Sequence, residues 1–167
     1  MSRLHILRYP DARLHKIAAP VEEIDENIRT LVADMTETMY AAPGVGLAAT
    51  QVDVHKQVIV VDASETRDQL LTLINPEIVT ASGVADCEEG CLSVPGIYEK
   101  IARAGRITVR ALGLDGQTFT MQAEDMLAVC IQHEMDHLKG RIFVEYLSRL
   151  KQTRIRAKLQ KQQRQSA

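Results

Sequence analysis

Six residues, Gln132-His133-Glu134-Met135-Asp136-His137, set two imidazoles four positions apart with a carboxylate beside the first. At 3.6 residues per turn, His133 and His137 fall on one face of a helix, one turn apart, and can converge on one cation. Glu134 sits about 100° round the helix from His133. It stands outside that row but can lean over the open position of a metal. This is the layout of a metal-bound water with a general base beside it. The preceding run Met126-Leu127-Ala128-Val129-Cys130-Ile131 is apolar, Glu124 and Asp125 suit a helix N-terminus, and Gly140 marks a stop. Such a helix is buried along much of its length, where two histidines and a glutamate are costly without partners.

The rest of the chain supplies what that helix packs against. Asp25 is a good N-cap, and Ile28, Leu31, Val32, Met35 and Met39 recur at helical spacing until Pro43-Gly44, which predicts an amphipathic helix with a methionine-bearing core stripe. Segments 57–62 and 70–74 read as buried strands, and Pro76 is expected to interrupt before a further strand at 77–80. Residues 105–112 and 117–123 alternate around Asp115-Gly116, a strong hairpin signal. Strands followed by a long buried helix predict an α+β fold, with antiparallel or mixed sheets around the helix of His133 and His137. A basic last helix is expected over 148–165, capped by Ser148, with a thin apolar stripe of Leu147, Leu150, Ile155 and Leu159. No repeat or linker divides the chain, so residues 1–167 are expected to form one domain.

Composition narrows the function class. No stretch approaches the ~18–20 apolar residues of a membrane span, and the segment Met1–Pro10 lacks the apolar core of a signal peptide, so a cytoplasmic protein is expected. Three cysteines, Cys87, Cys91 and Cys130, are too few for a disulfide framework and suit ligand or core roles in a reducing compartment. Charge is unevenly spread: seven cations lie from Arg149 onward with no acid after Glu145, leaving 13 basic residues against 22 acids in the body. The tail at +7 is a separate electrostatic object from a body at −9.

The third ligand decides the chemistry. Cys130 shares the histidine face, but it is seven residues from His137, about 10.5 Å of helix rise. Three ligands in such a line cannot all come within the ~2.0–2.3 Å of metal–N and metal–S bonds. The segment Cys87-Glu88-Glu89-Gly90-Cys91-Leu92-Ser93-Val94-Pro95 remains, in which Gly90 would let the chain turn and Pro95 would stiffen its exit. On these grounds Cys91 is only modestly favoured over Cys87. His5, His15 and His55 stand in poorly patterned surroundings and are expected at the surface. The small-residue row Gly44-Val45-Gly46-Leu47-Ala48-Ala49-Thr50-Gln51 is neither a phosphate loop nor a dinucleotide fingerprint.

Gly44–Gln51, Glu89-Gly90-Cys91-Leu92-Ser93 and Gln132–His137, taken together and in this order, closely resemble the three motifs of the bacterial peptide deformylases, and the likeness spans essentially the whole chain. The resemblance implies that Cys91, His133 and His137 bind one divalent metal ion, natively Fe²⁺ and replaceable by Zn²⁺, Ni²⁺ or Co²⁺. It further implies that Glu134 is the catalytic carboxylate and that Gln51 and the Leu92 N–H bind the substrate's carbonyl oxygen. The implied reaction removes the formyl group from the N-terminal formyl-methionine of nascent peptides. Substrate would lie along Gly44, Val45, Gly46, Glu89 and Gly90, with Val129 and Cys130 joining Val45 in the methionine pocket. Some members carry arginine where this chain has Tyr98, which leaves open how the peptide beyond its first residue is held. The family's C-terminal helix is implicated in ribosome docking, a use for the basic tail; neither DNA nor a membrane is implied as partner.

Rival readings fail at the third ligand. A metzincin needs histidine at position 143, where this chain has Phe143, and a thermolysin-like site needs a downstream glutamate, yet no acid follows Glu145. A structural metal site needs neither an open position nor a base beside it, so Glu134 and Gln51 speak against a non-catalytic protein.

Overall fold

A computed structural model describes residues 2–166. Three α-helices, α1 (Glu26–Ala41), α2 (Asp125–Leu138) and α3 (Arg149–Ser166), combine with seven strands: β1 (Gly46–Ala48), β2 (Val58–Val61), β3 (Leu71–Ser82), β4 (Glu88–Cys91), β5 (Val94–Lys100), β6 (Arg106–Leu112) and β7 (Thr118–Glu124). One sheet runs in the order β1-β2-β3-β6-β7 and a second is the β4-β5 ribbon. All five strand pairings are antiparallel, so the fold is α+β with antiparallel sheets.

The apolar run of β2 shows why the sheet is covered on both sides. Ile59 and Val61 pack with Ala128, Ile131, Met135 and Leu138 of α2, whereas Val58 and Val60 pack with Ile28, Val32, Met35 and Met39 of α1. Period-two alternation sends successive side chains to opposite faces, so a strand apolar at every position demands a layer on each. Helix α1 starts where predicted: the Asp25 side chain accepts from the Ile28 N–H at 3.0 Å. The β6–β7 hairpin turns at Asp115-Gly116, where Gly116 has φ +77°.

Two local expectations are corrected. Pro76 does not interrupt the chain, because β3 runs through it from Leu71 to Ser82. The pairing with β6 skips from Ile74–Leu112 to Glu77–Arg110, a bulge that needs no N–H from proline. Asn75 makes the bulge by taking φ +51°, and its amide holds the Val21 backbone by two bonds of 2.8 and 2.9 Å. Gly90, secondly, is not at a turn; it lies within β4, and the chain reverses at Leu92-Ser93 between the paired Cys91 and Val94. Glycine there lets the Tyr98 ring lie over the strand, since an added Cβ would stand 2.6 Å from it.

A third apolar cluster fixes the tail. Ile155 and Leu159 of α3 are buried with Leu7, Tyr9, Val94, Ile97 and Phe143, while Leu150, expected on the same stripe, is exposed. The two buried residues are one turn apart, and all seven basic residues of α3 face solvent.

Candidate active site and metal centre

Helix α2 crosses beneath the main sheet, with His133 and His137 on the face turned toward β4 and both rings buried. Their Nε2 atoms lie 3.2 Å apart, and Cys91 Sγ, from the end of β4, lies 3.4 Å from His137 Nε2. These three donors all fall within 4.8 Å of one another. Cys87 is not among them. Metal–N bonds near 2.05 Å and a metal–S bond near 2.3 Å at tetrahedral angles imply donor separations of about 3.3 Å for N···N and about 3.6 Å for N···S. The three side chains therefore fit a single cation, and a thiolate with two imidazoles suits iron, zinc, nickel or cobalt alike.

What orients His133 lies behind it. Its Nδ1 is 2.8 Å from Glu89 Oε1, and Glu89 is clamped by Arg103, whose Nε and second guanidinium nitrogen donate to the two carboxylate oxygens at 2.6 and 2.9 Å. Arg103 also donates to Asp136 at 2.5 Å, and the Tyr146 hydroxyl donates to the same Asp136 oxygen at 2.9 Å. Burial works against the Glu89 carboxylate, but the bonds from His133 and Arg103 outweigh it and hold its pKa below the ordinary value. An ionised Glu89 accepts from His133 Nδ1 and orients the ring, so that with a cation bound Nε2 would offer its lone pair to the metal. Gln132 ties the same helix to the chain after Arg103, exchanging bonds of 3.0 and 2.8 Å with the Ala104 backbone.

Glu134 is 4% exposed, and its Oε1 is buried with no hydrogen-bond partner among the described residues. Burial lifts its pKa to about 7, opposed by His133, whose Nε2 is 4.0 Å from Oε2. Gly46 explains how the carboxylate fits: a Cβ at that position would be 2.5 Å from Glu134 Oε2. Gly44 likewise leaves room for the Leu92 side chain, 2.6 Å from its own missing Cβ. The two glycines thus leave room for the site's own side chains while lining the cleft.

Gln51 is held in a short 3-10 turn, Ala49–Val52. Its Oε1 accepts from the Ala48 N–H at 2.9 Å, and its Nε2 donates to Ser93 Oγ at 3.0 Å and to Cys91 Sγ at a longer 3.6 Å. The Leu92 N–H lies in the turn next to Cys91.

One cleft of about 990 Å³ reaches Cys91, His133 and Glu134, and Gly44, Val45, Gly46, Glu89, Gly90, Leu92, Val129 and Cys130 all line it, whereas the buried Gln51 and His137 are outside its lining. Burial, reinforced by Glu134 and Glu89, pushes the Cys130 thiol up to about 12, so it is a neutral apolar wall. Met126, three and four positions before Val129 and Cys130 and half-exposed on the same wall, was missed, though its helical spacing points to it. Arg103 and Ser93 were missed too; only Ser93 had a signal, its place in the motif around Cys91.

Three donors that could hold one metal ion, two from a helix under an antiparallel sheet and one from the β4 ribbon, with a buried carboxylate beside them, fit the metallohydrolase class. The family model described as polypeptide deformylase matches residues 3–153. A "Peptide deformylase 2" of Nitrosomonas europaea is 66% identical over 98% of this chain and 89% of its own length. Crystal structures of peptide deformylases from Legionella pneumophila and, in complex with actinonin, from Ehrlichia chaffeensis superpose with a TM-score of 0.94, at 47% and 43% identity. They cover 99% and 98% of this chain, which covers 98% and 99% of theirs. The chain belongs to the polypeptide deformylase family, whose members are metal-dependent hydrolases.

Proposed function

We propose that this chain removes the N-formyl group from the formyl-methionine that begins new polypeptides, acting in the cytoplasm with Cys91, His133 and His137 holding one divalent cation, Fe²⁺ in the cell. The observation that carries this reading is the Glu134 carboxylate buried beside the convergent donors, with one of its oxygens lacking a hydrogen-bond partner among the described residues. When bound, the cation supplies the Lewis acidity that makes water nucleophilic at neutral pH and polarises the formyl carbonyl.

The chain's own groups do the rest. Glu134 Oε takes a proton from the attacking water and gives it to the departing amine nitrogen, so formate leaves and a free methionine amine remains. A carboxylate lifted to about 7 is matched to both halves of that task near neutrality. Charge growing on the formyl oxygen is met by the Leu92 N–H and by Gln51 Nε2, which exchanges its weak 3.6 Å contact with Cys91 Sγ for that oxygen. Ser93 Oγ keeps the Gln51 amide aimed. The methionine side chain lies against Val45, Val129 and Cys130.

Formate release from a formyl-Met-Ala-Ser peptide tests the reading, with metal content measured on the same anaerobically purified sample. Release is expected with about one metal per chain, to fall at least ~100-fold on chelation and to return on adding Fe²⁺ or Zn²⁺. Bound metal with no formate, and internal cleavage of an unformylated peptide instead, would show a peptidase.

The exposed cations of α3 are the proposed contact with ribosomal RNA phosphates, where the substrate emerges. Ribosome pelleting should weaken with salt and drop on truncation at Arg149. Unchanged pelleting would remove that role.

A further inference from the structure

We propose that Arg3, His5 and Arg8 form a cationic rim on the substrate cleft and make this chain prefer nascent peptides with acidic side chains in the few residues after methionine. The inference rests on the deformylase reading of the same cleft. The N-terminal segment is extended and lashed to the site: the Leu4 N–H donates to Thr38 Oγ1 at 2.8 Å, the Leu7 N–H to the Gln51 carbonyl at 2.8 Å and the Tyr9 N–H to the Ser93 carbonyl at 2.8 Å. Leu7 and Tyr9 are buried and Leu4 and Ile6 half-buried, whereas Arg3, His5 and Arg8 are exposed. All three line the cleft that holds Cys91, His133 and Glu134.

None of the three forms a salt bridge among the described residues, although thirteen such pairs occur elsewhere. The remaining charges on the cleft wall are Glu89, committed to Arg103 and His133, Glu134, buried at the centre, and the exposed Glu88. Two guanidiniums and an imidazole therefore share the cleft wall with one exposed acid, Glu88, and the only other acid bordering His5 and Arg8 in an adjoining pocket among the described residues, Asp11, is paired with Arg13. A volume near 990 Å³ is at the upper end of the ~300–1,000 Å³ of small-molecule sites, room for several residues of an extended peptide at ~3.4 Å each. Its walls beyond the centre, Pro95, Ile97 and the exposed ring of Tyr98, are apolar and concave. That shape suits a peptide strand, and an RNA backbone would favour a broad convex basic face.

Exposed charge pairs give modest selectivity that salt screens, so the expected effect is about a fivefold lower KM for acidic peptides, with kcat little changed. The metal-loaded enzyme and its Arg3→Ser/His5→Gln/Arg8→Ser variant would be assayed on formyl-Met-Ala-Ala-Ala, formyl-Met-Ala-Asp-Glu and formyl-Met-Ala-Lys-Lys at about 20 and about 300 mM salt. The proposal expects the acidic-over-neutral ratio of kcat/KM to be about 5 in the parent at low salt, about 1 in the variant, and kept by Arg3→Lys/Arg8→Lys. A parent that turns over the neutral peptide without preferring the acidic one overturns the rim alone. So does a preference that survives the triple substitution, or a variant that loses only ribosomal RNA affinity. No turnover of any formylated peptide overturns the rim and the deformylase reading together.

Discussion

Replacing Glu134 with glutamine is expected to lower kcat on a formyl-methionyl peptide about a thousandfold, within the ~10²–10⁴ that a positioned acid–base group contributes. The amide has the shape of the carboxylate and so fits the close space beside Gly46. It cannot take a proton from water or return one to the amine. The three donors come from other side chains, so metal content should stay at about one per chain. Stability should hold or rise, because the substitution removes a buried charge that has an unpartnered oxygen. Measuring kcat, metal content and melting temperature on one preparation separates the possibilities. A variant that keeps its metal and more than a tenth of the parent rate would sink the assignment of Glu134 as the proton carrier.

Much of this site is legible in the sequence because its chemistry is local. Two histidines one turn apart and a glutamate between them need only helix geometry to be placed, and the apolar run before them reports burial. The Asp25 cap, the end of α1 just before Pro43-Gly44 and the Asp115-Gly116 hairpin are likewise decided by neighbouring residues. What was illegible depends on distant partners. Arg103 stands in the unpatterned stretch Ile101-Ala102-Arg103-Ala104-Gly105, and the acids that permit its burial are 14 and 33 residues away. Pro76 reads as a breaker until Asn75 is seen to turn out of the ladder and bind Val21, 54 residues back. The glycines of the Gly44–Gln51 row signal close approach, but whether peptide, Leu92 or Glu134 does the approaching is fixed only by the fold.

Removing the Arg103 guanidinium is expected to have the largest effect of any change outside the donor set. Arg103 is 9% exposed and joins Glu89 on β4 to Asp136 on α2, so it locks the cysteine-bearing ribbon to the histidine-bearing helix. In Arg103→Ala the buried Glu89 and the half-buried Asp136 would both lose the guanidinium that pairs them. Breaking one side of a buried ion pair costs about 3–5 kcal/mol, so the denaturant midpoint should fall sharply. The Glu89 pKa would then rise, with His133 left to oppose burial without Arg103, and Glu89 would be a less firmly ionised acceptor for His133 Nδ1. Loss of such an outer partner weakens metal binding about 10–100-fold, which a chelator competition would read directly. Pairing the change with Glu89→Gln should restore part of the stability, because the unpaired charge goes, but not the affinity, because an amide oxygen is a weaker acceptor than a carboxylate. If Arg103→Ala matched the parent in both denaturant midpoint and chelator resistance, the buried Arg103–Glu89–His133 chain would be packing only and the metal centre would be held by its three donors alone.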